Sequence, residues 1–135
     1  MGAAVSASAQ SAITQNNLLQ NGGVITSSAG LKSAKNTWGQ PADWCDYSGM
    51  VDGKPIGITL LTGPRNFRPS WWHNRDYGVF AANPFGRSAM KQGDKSAATV
   101  KRGEILRLRF GAAIHHGQDF DSGAAIESFR SSADR

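Results

Sequence analysis

Cysteine occurs once in the 135 residues, at Cys45, so no internal disulfide can form and the chain must fold without a covalent staple. Long apolar runs are missing as well. None approaches the roughly 18 residues that a membrane helix needs, which excludes a helical span. A phosphate-binding glycine loop of either common pattern is lacking, as is a Gly-x-Ser-x-Gly elbow, so nucleotide-cradling and serine-hydrolase chemistry find no support. Only three imidazoles are present, His73, His115 and His116. The start, Met1-Gly2-Ala3-Ala4-Val5-Ser6, formally fits a myristoylation pattern and Ala7-Ser8-Ala9 a signal-peptidase tail. A secretory signal wants a basic start and an apolar segment, both lacking here, and the six-residue lipidation match is short enough to occur by chance, so neither is taken to direct the chain anywhere.

Glycine, by contrast, is abundant, at 16 of 135 residues against an average share of roughly 7%. Glycines set between short apolar runs suit a turn-rich β protein. Residues 1 to 21 are Ala, Ser, Gln and Asn with few large apolar groups, and are expected to be poorly ordered. Residues 22 to 132 are expected to form one domain. Gly22 to Thr26 is a short strand candidate, with a partner at Leu31 to Ser33. From Ala42, Trp44, Asp46 and Ser48 point one way and Cys45, Tyr47 and Gly49 the other, so Cys45 reads as a small buried strand residue. Asp52-Gly53 supplies the positive φ angles of a two-residue hairpin, and the β-branched run Ile56 to Leu61 follows as its second strand. Gly57 and Gly63 should leave room for a large ring, with a tryptophan as the natural occupant.

Gly63 to Arg75 holds two prolines and no sustained period, which predicts a long connection. Long loops on a rigid sheet often carry function. Tyr77 to Ala82 resumes the sheet until Asn83-Pro84 stops it, and Gly86 to Ser96 reads as a basic loop. Ile105-Leu106-Arg107-Leu108-Arg109-Phe110 alternates apolar with arginine, predicting a strand from Glu104 to His115 paired with Ala97 to Val100 around Lys101-Arg102-Gly103. Phe120, Ala124, Ala125 and Phe129 have helical spacing, with Asp121 or Ser122 as the cap. Together these predict a mainly β fold, an antiparallel β-sandwich of jelly-roll or supersandwich-like form, with a short C-terminal helix packed on it through Phe120 and Phe129.

The order Trp-Gly-x-x-Ala-x-Trp-x-Asp-Tyr-Ser-Gly from Trp38, Val51-Asp52-Gly53-Lys54-Pro55, Trp72-His73-Asn74-Arg75-Asp76-Tyr77-Gly78, Ala82-Asn83-Pro84-Phe85-Gly86, and Leu108-Arg109-Phe110 ending in Ile114-His115-His116-Gly117 resembles the C-terminal half of the PmoA-like bacterial domain family. The resemblance runs roughly from Thr37 to Arg130. It implies an antiparallel sandwich related to sugar-binding and sugar-isomerising folds, in a family often secreted or periplasmic and without an established activity. Such domains are about twice as long, so the resemblance also implies a truncated member, completed by a second copy or a partner subunit. Where the family usually has His-Asp-Gly-Asp, this chain has His115-His116-Gly117-Gln118, with two carboxylates fewer.

The site expected from these residues is a saccharide site at the loop around His73 and the strand end at His115, with Trp72, His73, Arg75, Asp76, Asn83 and His115 as candidate ligand-binding residues. Trp71, Trp72 and Arg68 can add to a stacking platform, because indole faces pack on pyranose rings while charged groups bind hydroxyls. His73, His115 and His116 are the candidate ligands for a divalent metal if the two regions meet. Asp46 with Asp76 would be a glycosidase pair only at a separation of roughly 5 to 9.5 Å. Catalysis and simple binding both stay open. A non-catalytic structural or interaction module is the alternative. A third reading comes from charge: residues 65 to 109 hold ten Lys or Arg against three Asp or Glu, a face suited to polyanions. No nucleic-acid-binding signature accompanies it, so a nucleic-acid partner is not expected, and binding to acidic polysaccharide explains the same charge equally well.

Overall fold

The computed structural model describes residues 23–95, 97–117 and 119–133; the expectation for residues 1 to 21 lies outside them. The chain is mainly β, as expected. Among the described residues, strands β1 (Val24–Ser27), β2 (Trp44–Val51), β3 (Lys54–Thr62) and β6 (Phe110–His116) form one antiparallel sheet in the order β1-β2-β3-β6. Strands β4 (Trp71–Asn74) and β5 (Phe80–Asn83) form a separate antiparallel ribbon. A single turn of helix, α1 (Ala34–Thr37), follows β1, and α2 (Ser122–Ala133) closes the chain.

The β2–β3 hairpin follows from its turn. Asp52 and Gly53 both take positive φ, 50° and 73°, and Val51 faces Lys54 across the two-residue loop. That turn fixes the register of the whole sheet, because a slip of one residue would exchange its faces. Asp46 pairs with Thr59 and Thr59 with Ala113; Ser48 pairs with Gly57 and Gly57 with His115. These residues face α2. Cys45 and Tyr47, one step along β2, face the ribbon, where Asn74 lies 3.7 Å from the Cys45 sulfur and the Tyr47 ring meets Phe80 edge-on at 6.0 Å. The core sits between sheet and ribbon around Trp72, Ile25 and Cys45, each at most 2% exposed. Met90 joins the buried set from the otherwise polar Gly86 to Lys95 stretch.

The C-terminal helix forms as its spacing predicts. Asp121 accepts a hydrogen bond from the Ala124 amide at 3.0 Å, satisfying a donor that the first turn leaves unpaired. Ile126 is buried, and the Phe129 ring lies so close to Gly111 that a Cβ there would come within 3.0 Å of it. A bare strand position thus seats a helix aromatic.

Three local expectations are corrected. Trp71 to Asn74 is a strand rather than part of one long connection; Trp72 and Asn74 are buried while Trp71 and His73 are half-buried. Its period of two spans four residues, too few to stand out between prolines. Residues 97 to 109 form no strand pair, although the turn at Lys101–Glu104 exists, closed by the Glu104 amide on the Lys101 carbonyl. Alternation there marks an extended segment exposed on both sides, with Ile105 81% accessible, and β6 takes β3 as its partner instead. The ring over Gly57 is the His115 imidazole rather than an indole, and Gly63 meets the Arg109 backbone. Leu31 to Ser33 supplies only a single bridge, Thr26 to Lys32, before α1 begins.

Candidate functional site

Two groups of polar residues are built on opposite faces of the four-stranded sheet. The first lies where α1 meets the end of β4. Thr37 is held by its own hydroxyl on the Ser33 carbonyl at 2.8 Å, and accepts the Asn74 side-chain amide at 3.0 Å. The chain then turns at Arg75–Gly78, with Gly78 at φ 96° and the Arg75 amide donating to the Val79 carbonyl. This turn brings Arg75, Asp76 and Tyr77 opposite Lys35 and Trp38 around a cleft of about 420 Å³. The Arg75 guanidinium sits 5.1 Å above the Trp38 ring, and His73 meets the same indole edge-on at 6.2 Å. Tyr77 stands 58% exposed at the rim. Two buried polar atoms of the lining residues, Trp38 Nε1 and Asn74 Oδ1, have no hydrogen-bond partner.

Beneath the cleft, Tyr47 reaches the Asp76 carbonyl at 3.5 Å. Its phenol is pushed above its ordinary pKa, first by burial and then by the charge of Asp76. The side chain is therefore a neutral donor here at physiological pH.

The second group, on the α2 side, centres on Asp46. Its carboxylate accepts the hydroxyls of Ser48 and Thr59 and faces His115 Nε2 at 2.6 Å. Because the Thr59 proton is directed at Asp46, the Ser122 hydroxyl, 3.3 Å away, donates to Thr59. His115 stacks flat on Phe120 at 3.9 Å. One buried carboxylate thereby joins β2, β3 and β6 to the start of α2, and its partners satisfy a charge that would otherwise be costly to bury. Its chemistry is that of a clamp.

The sequence-predicted residues fall into separate places. Arg75 and Asp76 line the cleft, and His73 abuts its Trp38 wall. Trp72 is core, fully buried, with its indole N–H on the Ala42 carbonyl at 3.0 Å. Asn83 accepts the Phe85 amide at 2.8 Å and so shapes the turn before Pro84. His115 belongs to the Asp46 clamp across the sheet, and His116, its neighbour on β6, is exposed. The regions around His73 and His115 are not brought together. Nor are Asp46 and Asp76, which serve opposite faces. Among the described residues no group of three or more His, Cys, Asp or Glu is placed to hold a metal ion, because successive strand residues send His115 and His116 to opposite sides.

Lys35, Trp38, Asn74 and Tyr77 went unselected in the sequence, although Asn74 and Tyr77 flank Arg75 and Asp76. Their signal is a long-range one, the Thr37–Asn74 contact across 37 residues.

This fold and these sites belong to a mainly β protein. Residues 12–129 match DUF6807, a family of unknown function, and the chain belongs to that family. Searches of curated proteins and of solved structures each found no match.

Proposed function

We propose that the protein binds a saccharide in the cleft between α1 and the Arg75–Gly78 turn. The observation that carries this reading is the lining of the cleft, an exposed tyrosine ring beside two basic side chains and one carboxylate. A sugar hydroxyl is both donor and acceptor, and so can pair with a carboxylate and a cation side by side. Tyr77 at the rim offers an exposed ring for stacking on a pyranose, with Arg75, Lys35 and Asp76 as charged partners for further hydroxyls. The resemblance of Thr37 to Arg130 to PmoA-like domains, whose fold is related to sugar-binding folds, points the same way. Asp76 is the single carboxylate of the lining, whereas glycoside hydrolysis ordinarily needs two. Binding is therefore favoured over hydrolysis.

The test is a glycan array followed by calorimetric titration of the best ligand. Tyr77→Ala should weaken binding about tenfold or more, about 1.4 kcal/mol, while leaving the melting temperature unchanged, because the side chain is mostly exposed. Absence of any saccharide ligand, or full affinity in Tyr77→Ala, overturns the reading.

A second reading, an interaction module, is favoured by the ribbon-side surface of β6. Phe110 and Ile114 are 45% and 61% exposed there, on a strand whose outer edge pairs with nothing among the described residues. An open strand edge beside apolar side chains is a template for another strand. If a second copy takes that place, light scattering will give twice the 14.4 kDa chain mass, and Ile114→Lys will return it to a monomer. A wild-type monomer at high concentration ends this reading.

A further inference from the structure

Several of the ten basic residues between 65 and 109 are committed locally: Arg68 lies 4.2 Å over Phe67, Arg87 donates to the Asp94 carbonyl at 2.9 Å, and Arg65 and Arg109 have partners of their own. A cation from outside that span matters more. Lys35, on α1, shares the saccharide cleft with Arg75, and Asp76 is the one carboxylate among the lining residues. The cleft therefore carries a surplus of positive charge before any ligand enters.

The fold brings both cations to the same wall. The Trp38 amide donates to the Ala34 carbonyl at 2.9 Å, which closes the turn of α1 and sets Lys35 and Trp38, three positions apart, on one side of it. Arg75 reaches the same indole from the opposite wall, its guanidinium 5.1 Å over the ring. Stacking occupies the flat face of a guanidinium and leaves the N–H groups around its edge able to donate. Among the described residues no ion pair engages Lys35 or Arg75. Backbone bonds hold both walls in place. The Gly39 amide donates to the Trp72 carbonyl at 2.7 Å just after α1, and the Arg75 amide to the Val79 carbonyl at 2.8 Å in the turn. A site fixed in this way loses little freedom when it is filled.

We infer that the saccharide taken by this cleft is an acidic one, with a carboxylate or sulfate group seated beside Trp38 between Lys35 and Arg75. The inference rests on the saccharide reading and names the ligand class of that same site. A neutral sugar leaves the surplus charge uncompensated. A carboxylate or sulfate meets the same N–H groups as a charge pair, and a guanidinium edge fits such a group with two parallel donors. An anion without a sugar ring is the poorer fit, because it gains nothing from the exposed Tyr77 ring. A nucleic-acid strand needs a basic track along successive phosphates, and here Asp76 stands next to Arg75 in the lining.

The experiment is calorimetric titration of the intact protein with ligand pairs matched except for charge: digalacturonate against its methyl ester, and sulfated galactobiose against galactobiose. The charged member of a pair should bind about tenfold or more tightly than the neutral one. Lys35→Ala, at an exposed position, should cut that preference to about threefold or less without moving the melting temperature. Arg75→Lys, which keeps the charge and loses the fork, should reduce it in part. Arg102→Ala, at a solvent-exposed turn outside the cleft, should leave it whole. Preference for uronate assigns a sugar acid, and preference for the sulfated ligand a sulfate ester. Equal binding of charged and neutral members, or a preference that survives both Lys35→Ala and Arg75→Lys, overturns the inference and leaves the saccharide reading standing. Failure of all four ligands while a neutral glycan binds on the array does the same; failure on the array as well overturns both. Acidic ligands bound with full affinity by Tyr77→Ala, or a single-stranded oligonucleotide bound more tightly than any of the four, place the anion outside a sugar site and overturn the inference.

Discussion

Gly57→Ala should cost about 3 kcal/mol or more and lower the melting temperature by roughly 10 °C, the penalty expected when a buried carboxylate loses a partner in a domain of this size. The added Cβ would lie 2.5 Å from both His115 Nε2 and Ser48 Oγ. Real Cβ atoms are not found that close to another group, so the imidazole has to swing away. The Ser48 hydroxyl has to give way for the same reason, so Asp46 keeps only the Thr59 hydroxyl undisturbed and loses its imidazole partner, while His115 leaves Phe120. The cost therefore combines overpacking with a stranded carboxylate. Urea unfolding of four proteins separates the two contributions: wild type, Gly57→Ala, His115→Ala and the double variant. In the His115→Ala background the space over Gly57 is open on the ring side, and the second substitution should cost less than about 1 kcal/mol. Additive costs would mean that the glycine is required for something other than the His115 clamp.

That clamp shows where sequence reading succeeds and where it stops. The alternation from Trp44 to Gly49 and the Asp52-Gly53 turn were legible because each is set by neighbours in the chain. They place Asp46 and Ser48 on one face and Cys45 and Tyr47 on the other, correctly, and the register across the turn then brings Thr59 and Gly57 beside the first pair. What occupies the space above Gly57 depends on which strand lies beyond β3, and that pairing joins residues 56–62 to 110–116. A tryptophan and a histidine are equally good tenants as far as local pattern goes. The same limit hid β4. Its four residues bury Trp72 and Asn74, but the reason to do so lies in Thr37 and Cys45, 37 and 29 residues away. Half of the cleft was therefore visible, in Arg75 and Asp76, and the half supplied by Lys35 and Trp38 was not. In the stretch from residue 97 to 109 the alternation is real, yet period-two spacing is common to paired strands and to exposed extended chain. Only a partner distinguishes them.

Raising the pH from 9 to 12 should remove up to about 4 kcal/mol of stability through Cys45 alone. The thiol is fully buried, and its pKa is pushed from 9.0 up to about 12. Burial is the main cause; the charge of Asp46 adds to it, and the Asn74 hydrogen bond to the sulfur opposes both. Below pH 9 the thiol is protonated whether the chain is folded or not, and the contribution is complete. Above it the unfolded thiol ionises while the folded one does not, so the unfolded state gains and stability declines until the folded thiol ionises as well. Three units of separation correspond to roughly 4 kcal/mol at 1.36 kcal/mol per unit. Tyr47, shifted the same way by its own burial and by Asp76, adds to the decline above pH 10.0. Urea unfolding of wild type and Cys45→Ala at pH 8, 10 and 11 isolates the thiol: the variant starts less stable because a small cavity opens in the core, and its disadvantage should shrink at each step. The same burial leaves the native thiolate population near one in ten thousand at pH 8, so alkylation of the folded protein should proceed at the rate of its opening rather than of its chemistry. Parallel pH profiles for the two proteins, or alkylation of the native thiol as fast as that of a free peptide, would show that water reaches the sulfur and that the seal formed by Asn74 over β2 is open in solution.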